Sequence, residues 1–191
     1  TPTEAGARVL SRARAFLQSA RDLRAAALDD RAAGELHAGA VATSMTGLVP
    51  DILARLAKSH PRVRVRMSPG ASGELYERVN RGELDAAIVV KPEFAMAKAC
   101  DWLALRAEPL LVIAPAGGRE RDPNALLARE PFIRLSRDTA GGRLVDRYLR
   151  HEGIVPHERF EITSLFTITR MVDRGLGIAL IPDWPAPWPA G

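Results

Sequence analysis

The chain has 191 residues, 47% of them apolar, and a formal net charge of +4, enough for one domain or two small lobes around a buried core. No run reaches the roughly 18 to 20 apolar residues of a membrane span, no secretory leader opens the sequence, and the one cysteine, Cys100, admits no intramolecular disulfide. The expectation is a cytoplasmic globular protein with a mixed surface, because carboxylates are interspersed with the arginines, as in Arg119-Glu120-Arg121-Asp122.

Thr1-Pro2-Thr3-Glu4 has the features of a capping box with proline at the first helical position. Val9, Ala13, Phe16, Ala20, Leu23 and Ala27 then alternate at spacings of four and three, which predicts a helix with a pairing seam and hence a dimer. The same stripe would also suit an amphipathic helix lying on its own domain. Asp29-Asp30-Arg31 and Gly34 end the pattern in a linker.

From Leu36 onward, β-like apolar runs alternate with helical patterns, the signature of βαβ units with a parallel sheet. Strands are expected at about 36–42, 62–67, 84–90, 109–114, 131–135, 159–162 and 177–181, and helices at about 47–59, 73–82, 123–129, 140–152 and 164–175. The first of these helices must stop before His60-Pro61, since proline disfavours a helical residue ahead of it. Gly175 suits a left-handed cap on the last. Beyond Pro182, Trp184-Pro185-Ala186-Pro187-Trp188-Pro189 reads as an irregular tail.

Three segments together resemble the LysR-type transcriptional regulators. They are Thr1-Pro2-Thr3-Glu4-Ala5-Gly6 before the long helix, the ordered set from Gly39 to Lys91, and Glu161 to Pro182. The middle set runs through Leu48-Val49-Pro50, His60-Pro61, Gly70-Ala71-Ser72-Gly73-Glu74-Leu75 and Gly82-Glu83-Leu84-Asp85-Ala86-Ala87-Ile88, and the last through Gly175-Leu176-Gly177-Ile178-Ala179-Leu180-Ile181-Pro182. The resemblance implies a periplasmic-binding-protein-like α/β sensor: a linker and dimerisation helix over 1–33, a first effector-binding lobe over 34–107 and a second over 108–191. A small, polar or anionic effector would bind between the lobes. Homodimers or homotetramers would form through the helix and the lobes, and operator DNA would be contacted only by a winged helix-turn-helix domain that this sequence does not contain. The family's sensor also continues past the position of Pro182 to complete its first lobe.

Candidate effector-binding residues follow from the rule that open α/β sheets bind ligands beyond the carboxyl ends of their strands. Thr43-Ser44-Met45-Thr46 reads as a polar turn between a strand and a helix N-terminus, where hydroxyls and free N–H groups suit a carboxylate; plain capping by Ser44 or Thr46 is the alternative. Ser72, in Gly70-Ala71-Ser72-Gly73, occupies the equivalent turn after the second strand, where glycines let backbone come close to a ligand, with a plain turn-forming role as the alternative. In Phe132-Ile133-Arg134-Leu135-Ser136, alternation puts Arg134 and Ser136 on one face, so Arg134 would pair with an anionic effector if that face meets the ligand, and is a solvated surface residue otherwise. Ser164 and Thr167 open the last helix, as effector contacts or as a cap. Thr139-Ala140-Gly141-Gly142 and Lys91 are weaker candidates.

No enzymatic site, metal site or cofactor is expected. His37, His60, His151 and His157 are scattered and lack metal-ligand spacing. A nucleophile elbow and a phosphate-binding loop signature are both absent. A transporter's solute-binding protein is the rival with the same fold, against which the heptad stripe argues.

Overall fold

The computed structural model describes residues 34–92, 100–118, 120 and 122–184, together with 3, 5, 6, 9, 12, 13 and 16. Val9, Ala13 and Phe16 are helical, and Val9 and Phe16 are exposed. The rest of the expected seam, Ala20, Leu23 and Ala27, lies outside the described residues. The chain divides into two compact units, Thr1–Leu103 and Ala104–Gly191; the sequence reading drew that boundary at 107/108.

In the first unit, strand β1 (Gly34–Ala40) leads into a short helix α1 (Ala42–Gly47) and then α2 (Val49–Ser59), β2 (Val63–Pro69), α3 (Ser72–Asn80) and β3 (Ala86–Ile88). The strands form a parallel sheet in the order β2-β1-β3. Parallel neighbours need crossover connections, and the helical patterns between them supply these. Leu75 of α3 is fully buried, with Ala40, Val49 and Leu84 also in the core; seating a leucine side chain this way contributes about 2 kcal/mol.

The expected helix over 47–59 is present as Val49–Ser59, and a second, short helix, Ala42–Gly47, precedes it. Pro50 lies at the start of α2 and has no N–H with which to continue a ladder from the preceding turn, so the backbone resets at Leu48. The Thr43–Thr46 segment, expected as a turn, is the body of α1. Helix α2 ends at Ser59 with His60 as its cap, as Pro61 dictates.

The second unit contains β4 (Leu110–Ile113), α4 (Pro123–Arg129), β5 (Pro131–Leu135), α5 (Ala140–His151), β6 (His157–Ile162), α6 (Leu165–Asp173) and β7 (Ala179–Pro182). β4 pairs antiparallel with β7, and β5 pairs parallel with β6. A bridge between Phe132 and Ile178 joins the two pairs. Alternation along β5 divides the core. Ile133 and Leu135 pack with Ile168, Val172, Ala179, Ile181 and Trp184 on one side, while Phe132 packs with Leu127, Val145, Leu149, Ile178 and Leu180 on the other.

Two chain-end expectations resolve differently. Gly175 takes φ 72° after α6, and the N–H groups of Gly175 and Leu176 return to Val172 and Met171, the left-handed cap anticipated. Trp184, placed in an irregular tail, is instead a core residue, 1% exposed and edge-on to Phe166 at 5.7 Å between ring centroids. Its large apolar surface outweighs the prolines that follow it. No helix among the described residues is long and apolar enough to cross a membrane.

Candidate functional site

Register aligns the three strand ends of the first unit. Ala40 pairs with Pro69 on one side and with Ile88 on the other, so the segments that follow β1, β2 and β3 leave the sheet side by side at its carboxyl edge. Thr43–Thr46 and Ser72 are thereby brought to one edge. Val41 N–H donates to the Ile88 carbonyl at 3.1 Å, and Val90 N–H donates to the Ser72 hydroxyl at 3.2 Å. The Ser72 hydroxyl thus ties the chain leaving β3 to the start of α3, a role that spacing alone did not reveal.

None of the hydroxyls in α1 serves as its N-cap. That position is Val41, which makes no side-chain capping bond. The Thr46 hydroxyl donates to the carbonyls of Thr43 and Ala42 at 3.1 and 3.3 Å, back-bonding that suits a β-branched residue within a helix. Ser44 is 7% exposed; Thr43 and Met45 are half-buried, and Thr46 is exposed. The capping alternative is therefore replaced by a buried serine in a short helix. Lys91 is exposed.

In the second unit the same logic applies to β5 and β6. Leu135 pairs with Ile162, and Ser136 N–H donates to the Ile162 carbonyl at 2.9 Å. Ser136 and the Ser164–Thr167 segment therefore lie at one carboxyl edge. Ser136 is 5% exposed and shapes its turn. Its carbonyl accepts from the Thr139 hydroxyl at 2.8 Å, and its own hydroxyl accepts from Asp138 N–H at 3.4 Å. Thr139 caps α5 by accepting from Gly142 N–H at 2.9 Å. Ser164 caps α6 by accepting from Thr167 N–H at 3.2 Å, and Thr167 is exposed.

Gly142 shows how tightly this turn is folded. A Cβ there would overlap the Ser136 carbonyl oxygen and stand 2.8 Å from that of Leu135. Only glycine lets α5 begin so close to β5.

Arg134 is neither solvated nor open to a ligand. It is 2% exposed, its guanidinium lies 5.2 Å from the Phe132 ring centroid, and its Nη2 donates to Glu158 Oε1. Nη1 stands 3.7 Å from Asp146 Oδ1, while Nε and Nη1 make no hydrogen bond. Alternation assigned the face correctly. That face is covered by α5 and flanked by β6, which bring carboxylates to the guanidinium.

Arg137 extends the cluster from the turn. It reaches Glu158 at 2.8 Å, Asp146 at 3.3 Å and Glu161 at 3.6 Å, and Arg150 also pairs with Asp146. Hydrogen bonding from Arg134 holds the Glu158 carboxyl below its ordinary range against desolvation, with Arg137 adding to the effect. Burial alone would raise Asp146, but bonds and charge from Arg150 and Arg137 outweigh it and hold that carboxyl low. The sequence reading missed Arg137, Asp146 and Glu158. The available signal was two carboxylates, Glu158 and Glu161, in and just before the strand expected at 159–162; that this strand pairs with the one carrying Arg134 came only with the structure.

Cys100 is half-buried, and among the described residues no group of three or more histidine, cysteine or carboxylate side chains is placed to hold a metal ion.

Residues 29–191 match the LysR substrate binding domain. The chain is 30% identical over 156 residues to the uncharacterized HTH-type transcriptional regulator YybE of Bacillus subtilis (strain 168), a match covering 78% of this chain and 52% of that protein. HinK, a LysR family transcriptional regulator from Pseudomonas aeruginosa, superposes with a TM-score of 0.70 at 25% identity, over 97% of this chain and 64% of that one. The effector binding domain of QuiR, solved in complex with shikimate, superposes with a TM-score of 0.65 over 78% of this chain and 74% of that one; at 19% identity it supports the fold alone. This chain spans about half the length of the Bacillus relative. With the family match extending from residue 29 to residue 191, the chain belongs to the LysR substrate-binding domain family and has its two-lobed, periplasmic-binding-protein-like α/β fold.

Proposed function

We propose that this chain is the effector-sensing region of a LysR-type transcriptional regulator and that it holds a small polar or anionic metabolite at the carboxyl edges of its sheets. The observation that carries this reading is the register of the first sheet. It sets Thr43, Ser44, Met45 and Thr46 beside Ser72 at one edge, where polar side chains and strand-end backbone collect. In the second unit, Ser136, Ser164 and Thr167 form the corresponding set. Arg134 has no place in it, because Glu158 already holds its guanidinium. The shikimate bound to the QuiR domain, a polyhydroxylated carboxylate, is the type of ligand such a set suits.

The family relatives named above are transcription regulators, which favours this reading over a transporter's solute-binding protein and over an enzyme. The region works in the cytoplasm as part of a homo-oligomer. Effector binding favours one arrangement of subunits over another, and about 1.4 kcal/mol of preference shifts that ratio tenfold. DNA is contacted through a helix-turn-helix segment outside these residues.

A thermal-shift screen of shikimate, aromatic acids, amino acids and sugar acids tests the proposal. At least one raises the melting temperature, and the gain shrinks in the Ser136→Ala or Thr167→Val variant. A panel that leaves the melting temperature unchanged, or a gain identical in both variants and in Ser44→Ala and Ser72→Ala, counts against it.

A further inference from the structure

The three segments that leave the first sheet at its carboxyl edge differ in charge. After β1, from Val41 to Pro50, there is no charged residue. The segment after β2, Gly70-Ala71-Ser72-Gly73-Glu74, brings one carboxylate, and the segment after β3, Val89-Val90-Lys91-Pro92, brings one ammonium.

The fold sets these two charges around a single hydrogen bond. Val90 N–H donates to the Ser72 hydroxyl at 3.2 Å, so Lys91 follows directly from the residue that Ser72 holds. Glu74 stands two residues beyond Ser72, in the first turn of α3. Its Oε2 lies against Gly70, 3.4 Å from where a Cβ on that glycine would stand, so the carboxylate folds back toward the strand end. Both residues are exposed. They form no ion pair with each other, and among the described residues neither charged group has another partner. Farther along α3 the charges are matched: Arg78 and Arg81 stand 3.9 and 3.8 Å from Glu83. The positive end of α3 favours a carboxylate such as Glu74, but an ammonium beside that same end gains nothing from it.

One open anion and one open cation thus stand beside the hydroxyl set. A simple carboxylate would be attracted by Lys91 and repelled by Glu74, and a simple amine the reverse. A ligand carrying both charges satisfies both. The Ser72 hydroxyl, which accepts from Val90, keeps its own proton to donate to such a ligand.

We infer that this edge recognises the α-amino and α-carboxyl groups of a free amino acid, with Lys91 holding the carboxylate and Glu74 the ammonium. The inference rests on the reading of the chain as an effector sensor and narrows its effector from polar or anionic metabolites to zwitterions.

A thermal-shift screen of the proteinogenic L-amino acids with the 191-residue chain selects the strongest binder. Calorimetry then compares that amino acid with its own deaminated acid and decarboxylated amine, such as hydrocinnamate and phenethylamine for L-phenylalanine. The amino acid binds at least about tenfold more tightly than either analogue, the scale of one charge-assisted hydrogen bond. Lys91→Met weakens the amino acid by roughly tenfold and leaves the amine unchanged, while Glu74→Gln weakens it by roughly tenfold and leaves the acid unchanged. Affinity is the readout because Glu74→Gln also removes a favourable first-turn carboxylate and lowers the melting temperature by itself. Circular dichroism establishes that each variant is folded. An acid or amine that binds as tightly as its parent amino acid, or wild-type affinity in both variants, overturns the inference. Shikimate binding that weakens in Ser44→Ala, with no amino acid bound, overturns it and leaves the effector reading standing; no binding by shikimate or by any amino acid counts against both.

Discussion

Removing Glu158 separates the buried ion-pair cluster from mere surface decoration. Arg134 is 2% exposed, and Glu158 accepts the one hydrogen bond its guanidinium makes among the described residues, since Nε and Nη1 make none. Removing one partner of a fully buried pair costs about 3–5 kcal/mol. The Glu158 side chain is 34% exposed and Asp146 stands 3.7 Å from Nη1, so the expected cost of Glu158→Ala is lower, about 2–3 kcal/mol. Arg134→Met removes the buried charge itself and fills the space over Phe132 with apolar volume. Glu158 then keeps Arg137 at 2.8 Å and partial contact with water, so this change costs about 0–1 kcal/mol. At this chain length each kcal/mol moves the melting temperature by about 2–4 °C. Glu158→Ala is therefore expected to melt roughly 4–12 °C below wild type, with Arg134→Met within a few degrees of wild type. Thermal and urea unfolding of both variants measure the order. If Arg134→Met is as damaging as Glu158→Ala, the penalty does not come from a stranded guanidinium and the reasoning fails.

Three further outcomes follow from the same geometry. Gly142→Ala drives a Cβ into the Ser136 carbonyl and is expected to cost about 3 kcal/mol or more. Gly73→Ala, in the first turn of α3 with open space around the added carbon, is expected to be neutral or to stabilise by up to about 1 kcal/mol; equal melting temperatures for the two variants would contradict the packing described. Because Glu158 and Asp146 are held below their ordinary values of 4.5 and 3.8, their stabilising contribution is complete above those values and disappears as pH falls through the lower folded-state values. Arg137→Gln should flatten the acid limb of a stability profile between about pH 5 and pH 2, and an unchanged profile would show that Arg137 does not hold these carboxylates. Ser164→Ala removes the α6 cap and should cost about 1 kcal/mol, so any loss of ligand response in that variant is to be read against its own lower melting temperature.

The pattern of strands and helices was largely legible because the crossover architecture leaves strong periodicities. Pro131–Leu135 and Pro123–Arg129 occur at the expected residues, and the stop before His60-Pro61 follows from local sterics. What local patterns missed depended on neighbours. Thr43–Thr46 looked like a turn because threonine and serine are modest helix formers, yet one short helix forms before Pro50 starts the next. Arg134 was placed on the correct face of β5, but a strand pattern does not say what covers a face, and the answer lay in Asp146 and Glu158 on two other elements. Trp184 was hidden by the surrounding prolines, since a tail rich in proline gives no sign that one indole is buried. The hydroxyl set was legible as residue types near strand ends, while Ser72's bond to Val90 and Ser136's to the neighbouring turn came only with register.

The most direct test is a calorimetric titration, into wild type and Ser44→Ala, of whichever carboxylate raises the melting temperature most. Ser44 is buried and caps no helix, so its hydroxyl can be removed without loss of a cap. A polar group lost from a bound carboxylate's partners costs about 1–3 kcal/mol, so the expected result is saturable one-site binding to wild type, with Kd raised roughly 5- to 150-fold in the variant. Equal affinity in both proteins would contradict the site at the carboxyl edge of the first sheet.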